Sequence, residues 1–275
     1  MQNHNVVTAP VHFAVGRGTM AREADRIAVW RDAARVPTAP RAWRIGRMDW
    51  VSFWDGANAI YVNERHKSVH YERLVADLAY FVPGPSARVL DYGCGEALAA
   101  QAMARTCAHL TLSDAAPSVR EKLKARLSAD SALSVLSIEA VEALPDGSFD
   151  LVIVNSLVQY LSRAQLEGLL ALFHRLLAPG GRLLLADLIP PGVGAARDAA
   201  ALLSFAAREG FFFAAVLGLA RTAVSPYRKL RADLGLATYE EADVLAMLKA
   251  AGFAATRHRP NVGHNQARMA FLATR

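Results

Sequence analysis

Two carboxylates and a pair of glycines make up the part of this sequence best suited to chemistry. The stretch VLDYGCGEALAAQAM (residues 89–103) reads as a short buried strand that ends in Asp91 and enters a turn holding Gly93, Cys94 and Gly95. Glycines are needed where the backbone turns tightly or approaches a ligand closely. The alanine-rich helix expected behind them would aim free N–H groups into the same space. A second stretch, LTLSD (110–114), reads as the next strand and ends in Asp114. A carboxylate at that place can bind ribose hydroxyls in a nucleotide-type crevice. The third glycine of a dinucleotide fingerprint is missing, because Ala97 and Leu98 stand where it would fall. Upstream, His66, His70, Leu74 and Leu78 recur at intervals of four and share one helix face. A neutral imidazole there can accept a proton near neutral pH; equally, both histidines can be core groups bonded to backbone. No cysteine or carboxylate partners at ligand spacing complete a zinc site, and no metal is expected. Tyr160 falls just past the fourth strand, where open α/β sheets hold ligands.

The surrounding pattern supplies the elements that must position these groups. Asn63 can cap a helix running to about Tyr80 and stopped by Pro83, Gly84 and Pro85. Residues 116–130 give an amphipathic helix, 134–138 alternate as a strand, and 151–154 form an all-apolar run suited to a strand covered on both faces. A helix over 164–177 meets a stop at Pro179, Gly180 and Gly181, and 182–188 is another buried strand. Strand and helix alternate throughout, which predicts an α/β fold with a mostly parallel sheet and helices on both faces. Pro190, Pro191 and Gly192 then open an insertion, 192–235, that contains the apolar run FFFAAVLGLA (211–220). It reads as a helical cap, either a lid or an oligomer contact. A last helix over 239–251 leads to a strand, a turn near 261–265 and a final strand over 267–274. Residues 1–62 read as an N-terminal extension with a helix over 19–35 and a turn-like segment over 41–50, its tryptophans packing onto the body; residues 63–275 read as the main domain.

Composition narrows the class. A chain of 275 residues and 29.7 kDa can bury a sizeable core, and although 53% of it is hydrophobic, no apolar run reaches transmembrane length. The N-terminus lacks a basic region followed by an apolar one, so no secretory signal is expected. Cys94 and Cys107 read as free thiols in a reducing cytoplasm. The net charge of +6 comes from arginines spread along the chain without an aromatic-interleaved basic patch. That favours an anionic small substrate or surface over nucleic acid.

Taken in order, VLDYGCG, the acid after the second strand, LPDGSFDLVIVNSLVQYL and LLAPGGRLLLADLIPP resemble the class I S-adenosylmethionine-dependent methyltransferases, over about residues 71–275. The resemblance implies a Rossmann-like seven-stranded sheet whose last strand is antiparallel. It implies S-adenosylmethionine as cofactor, with Asp91, Gly93, Cys94 and Gly95 around its methionine part and Asp114 on its ribose. Asn155 would contribute backbone near the methionyl group, and the helix carrying Tyr61, His66 and His70 would close over the cofactor. Relatives often place an aspartate after the third strand to hold the adenine amino group; here that position is Ala140, so either Glu139 or the backbone of Ala140 and Val141 takes the contact. Gln159 and Tyr160 resemble a pair found in some small-molecule methyltransferases, and no Pro-Cys nucleophile or Asn-Pro-Pro-aromatic motif of nucleobase methylation is present. The expected activity is methyl transfer to an O, N or C nucleophile of a small metabolite, with His66, His70 and Tyr160 on the acceptor side and a homodimer as the assembly. A nucleotide-cofactor oxidoreductase and a methyltransferase-like binding protein without turnover are the competing readings.

Overall fold

The computed structural model describes residues 48–56, 61–223 and 235–275. The helix expected over 19–35 lies outside them. The apolar runs form the strands β1 (Arg88–Tyr92), β2 (His109–Ser113), β3 (Leu133–Leu136), β4 (Phe149–Asn155), β5 (Leu177–Leu188), β6 (Ala254–His258) and β7 (Met269–Thr274). They make a seven-stranded sheet in the order β3-β2-β1-β4-β5-β7-β6. β1 to β5 pair in parallel, while β7 is antiparallel to both β5 and β6. The order reverses between β1 and β4, so the crevice at their carboxyl ends is where such a sheet holds a ligand.

Helices cover the sheet: α1 (Met48–Asp55), α2 (Glu64–Ala79), α3 (Ala100–Ala104), α4 (Pro117–Leu127), α5 (Ile138–Glu142), α6 (Arg163–Leu176), α7 (Ala195–Glu209), α8 (Phe212–Ala223) and α9 (Glu241–Ala250). One apolar layer joins α6 and α9 to the sheet through Phe149, Phe173, Leu176 and Phe271, all without exposed surface. The other joins α2, α3 and α4 to it through Leu78, Met103, Leu110 and Leu123. Truncating one of those phenylalanines to alanine is expected to cost about 3–5 kcal/mol. Asn63 caps α2 by accepting the His66 N–H at 2.8 Å. Ser162 and Gln165 close a reciprocal capping box on α6.

Four local expectations change. The tail of the turn-like segment, residues 48–50, is already helix α1, and Trp50 and Trp54 pack their rings on Tyr160 at 4.6 and 5.8 Å. The strand expected over 134–138 ends at Leu136, and Ser137 caps the short helix α5. The Pro179–Gly181 stop lies inside β5: Leu177 already pairs with Phe149, and the register then jumps so that Arg182 faces Leu151. The helix behind the glycine turn is shorter than its alanine content implies, starting only at Ala100.

The insertion folds as the hairpin α7–α8. Gly210, at φ +80°, ends α7 in the left-handed conformation and returns the chain. The hairpin docks on α2 through a small core of Val69, Phe205, Ala206, Phe211 and Ala215. The apolar run is therefore two-sided: Phe211 is buried, while Phe213 is 88% exposed.

Candidate active site

The glycine turn is braced from β2. Gly93 and Cys94 both donate their N–H to Ser113 O, at 2.7 and 3.1 Å. Gly95 donates its N–H to Asp114 Oδ2 at 2.9 Å, and Ala116 donates to Oδ1 at 2.9 Å. These three amides thus hold the turn itself. Gly93 has φ +76°, and a Cβ there would come within 2.9 Å of the Leu157 side chain, so glycine is required on two counts. Where a third glycine would fall, Ala97 adopts φ +39°, and Arg126 donates to its carbonyl oxygen.

A cavity of about 910 Å³ opens at this turn. Its floor includes Gly93, Cys94, Gly95, Asp114, Glu139 and Asn155. Tyr61, His70, Tyr71 and Leu74 wall it from α2 and the segment before it, and Trp50 and Trp54 from α1. Tyr160 lies on the same wall as these indoles. α1 is clasped in place by Asp55, whose carboxylate accepts the Ser118 N–H at 2.7 Å, supplying the cap that α4 lacks from its own Ala116. Lys67 on α2 reaches the turn and pairs with Glu96 at 2.8 Å.

The other sequence candidates separate. Ala140 and Val141 are buried behind the wall, and their N–H groups already donate to Ser137 Oγ and Ser137 O, which leaves Glu139 as the member of that trio on the cavity. His66 is not on the wall. Its Nδ1 accepts the Val62 N–H, and its ring stacks on Phe211 with centroids 4.9 Å apart and 20° between planes. Asp91 is not a wall residue either, although its charge and that of Asp114 act on one another. Residues that sequence reasoning passed over are Trp50, Trp54, Tyr71 and Ser156, all on the wall. A helical reading of 48–55 would have put Trp50 and Trp54 one turn apart; nothing in the sequence marks Ser156.

Electrostatically the floor suits a cation. Burial, and then the Asp114 charge, push the Asp91 carboxyl up to about 7. Burial also raises Asp114, against its hydrogen bonds from Ala116 and Gly95. Two acids held against ionisation stabilise a positive charge placed beside them. Asn155 Oδ1 and Ser113 Oγ are buried with no hydrogen-bond partner among the described residues, which marks polar positions near the turn still to be satisfied. These features fit S-adenosylmethionine, whose sulfonium and ammonium are cationic. On the wall, burial and then the His264 and His66 imidazoles lower His70 to about 4. Burial raises Tyr61 to about 12.

The fold and site together define a Rossmann-like sheet with a cavity at the carboxyl ends of its parallel strands, lined by the glycine turn and by aromatic rings. Residues 90–185 match the family profile described as a methyltransferase domain. The curated relatives include ubiquinone biosynthesis O-methyltransferases of Xanthomonas campestris pv. campestris, 36% identical over 108 residues, or 38% of this chain and 44% of theirs. The chain thus spans less than half the length of those relatives. Among solved structures, the phosphoethanolamine N-methyltransferase 1 of Haemonchus contortus, in complex with phosphoethanolamine and S-adenosylhomocysteine, superposes with a TM-score of 0.54 at 17% identity, covering 95% of this chain and 51% of that one. A chain from the complex between the Haloferax volcanii Trm112 methyltransferase activator and a methyltransferase gives 0.52 at 15% identity, covering 82% of this chain and 96% of that one. Residues 90–185 thus carry a methyltransferase domain, on a fold shared with solved methyltransferases.

Proposed function

We propose that the chain transfers the methyl group of S-adenosylmethionine to an O, N or C nucleophile of a small-molecule acceptor. The observation that carries this reading is the glycine turn braced by Asp114 at the mouth of a cavity of about 910 Å³, with aromatic rings on its far wall. When bound, S-adenosylmethionine supplies a methyl group on a sulfonium, open to direct displacement. Gly93, Cys94 and Gly95 would hold its methionine part with the Asp91 charge behind them, Asp114 its ribose, Glu139 its adenine amino group, and the Asn155 backbone the region between. The protein's remaining work is alignment of the acceptor and exclusion of water. Tyr61, His70 and Tyr160 would line the acceptor side, and His66 would serve the cap rather than the chemistry. Trp50, Trp54 and Tyr160 form a wall suited to a planar acceptor. Together with the name of the Xanthomonas relatives, this favours an oxygen nucleophile on such a ring.

The same reading makes α7–α8 a lid that also meets a second copy of the chain. Phe213, Val216 and Leu217 are exposed on one side of α8 and would be covered in a homodimer. No helix among the described residues is long and apolar enough to cross a membrane; a cytoplasmic setting belongs to the proposal. Calorimetry with S-adenosylmethionine tests the cofactor, and an untargeted metabolite screen for a mass gain of one methylene identifies the acceptor. Nicotinamide binding without S-adenosylmethionine binding would replace this reading with an oxidoreductase. Tight cofactor binding with no acceptor methylated would leave a binding protein.

A further inference from the structure

The carboxyl ends of β4 and β5 carry two non-glycine residues in the left-handed region, Ser156 at φ +56° and Asp187 at φ +63°. Asn155 and Ala186 are register partners, so these two residues follow side by side. The β5–β7 register shifts between Leu185 and Leu188, which puts Asp187 in a bulge, a device that re-aims a side chain. The result is contact: Ser156 Oγ donates to Asp187 Oδ2 at 2.7 Å. Glycine would take either conformation without strain, yet the chain uses a hydroxyl and a carboxylate, and Ser156 lies on the cavity wall. Asn261 Oδ1 accepts the Asp187 N–H at 3.2 Å and fixes the bulge. The charged groups that act on Asp187 are Arg268 and Asp198, and these are already bound to each other by a bidentate pair at 2.8 and 2.9 Å.

We propose that Ser156 and Asp187 form the proton acceptor for the methyl acceptor, an inference that rests on the methyl-transfer reading above. The acceptor X–H donates its proton to Ser156 Oγ while Ser156 passes its own to Asp187 Oδ2. The X–CH₃ bond forms as the S–CH₃ bond breaks, and the broken bond's electron pair stays on sulfur. A sulfonium and a carboxylate become a thioether and a carboxylic acid, so charge is cancelled inside the cavity. Ser156 is the contacting residue, and Asp187 acts through it. The substrate class that follows is a hydroxyl or N–H acceptor, which has a proton to lose. Burial raises the Asp187 carboxyl against Arg268 and Ser156, which strengthens it as a base. His70, also on the wall, is left a weaker base than an ordinary histidine by its lowering to about 4.

The test measures methyl transfer from radiolabelled S-adenosylmethionine into a small-molecule extract, against pH, at saturating cofactor. Ser156→Ala and Asp187→Asn should each lower the rate roughly 10²–10⁴-fold and remove its acid limb, with Asp187→Glu restoring part of it. All three should bind S-adenosylhomocysteine as wild type does. Rates close to wild type in Ser156→Ala and Asp187→Asn, or an acid limb that survives them, overturn the proposal. If Asp187→Asn does not fold, Ser156→Ala, which deletes only a hydroxyl, decides. A wild type that binds S-adenosylhomocysteine but transfers no methyl group counts against the enzyme reading instead. The pair is then judged by carboxyl ¹³C resonances with S-adenosylhomocysteine bound. A raised Asp187 midpoint that climbs further in Ser156→Ala supports it, and an ordinary or unmoved midpoint overturns it.

Discussion

Asp114 holds Gly95 directly: its Oδ2 accepts the Gly95 N–H at 2.9 Å, and its other oxygen accepts the Ala116 N–H at the same distance. One side chain at the end of β2 therefore fixes the turn at the end of β1 and the entry to α4. Each carboxylate oxygen keeps a further lone pair, so bracing and ribose binding do not compete.

Asp114→Ala is expected to lower S-adenosylmethionine affinity more than tenfold, since a hydrogen bond to a charged group contributes about 1.5–3 kcal/mol. It should lower Tm as well, because Gly95 and Ala116 lose their acceptor. Asp114→Asn, which keeps one acceptor oxygen, should fall between. Wild-type affinity in a folded Asp114→Ala protein would remove Asp114 from the cofactor site.

Cofactor binding is expected to release protons near neutral pH. Asp91 is raised to about 7 without ligand, and a cation beside it favours ionisation and brings its pKa down. Between pH 6 and 7 binding should release up to about one proton and tighten as pH rises. Calorimetry in buffers of different ionisation enthalpy reads this directly, and Asp91→Asn should abolish it. Proton-neutral binding by wild type would contradict the placement.

The imidazoles between α2 and the cap make docking acid-sensitive. His66 stacks on Phe211 and His264 on Phe205, at 4.9 and 4.7 Å. Burial is the leading cause that lowers His70 and His264 to about 4. The folded state keeps them neutral while the unfolded chain takes up protons below about 6.5, so their contribution to stability is lost as pH falls from 6.5 to 4. Asp91 runs the opposite way over much of that range, so the comparison must be of variant with wild type at each pH. The Tm deficit of His264→Gln should shrink on acidification. His66→Ala should lower Tm while leaving S-adenosylhomocysteine affinity unchanged, and a loss of that affinity would return His66 to the cofactor site.

Helix α1 should report on the cavity. Tyr160→Ala removes the ring on which Trp50 and Trp54 rest, and Asp55→Ala removes the clasp to Ser118. Both variants should speed hydrogen exchange over 48–55 and weaken any tryptophan fluorescence change on cofactor binding. Wild-type protection in both would show that α1 is held elsewhere.

Much of this architecture was legible in the order of residues. Period-two and all-apolar runs, proline and glycine stops, and the Asn63 cap set strand and helix along the chain. Gly93, Gly95 and Asp114 marked the cavity, because strand ends and turns leave local signatures. What only three-dimensional packing decided is which side chains face the cavity. His66 and His70 share a helix face in sequence, yet Phe211 of the inserted hairpin stacks on the first and leaves the second on the wall. The glycine-turn amides bind Ser113 and Asp114, a brace that exists only because β2 lies alongside β1 in the sheet. Ser156 and Asp187 are separated by a whole helix and strand in the chain. Only parallel pairing of β4 with β5, and a bulge that no local preference dictates, brings hydroxyl and carboxylate to 2.7 Å.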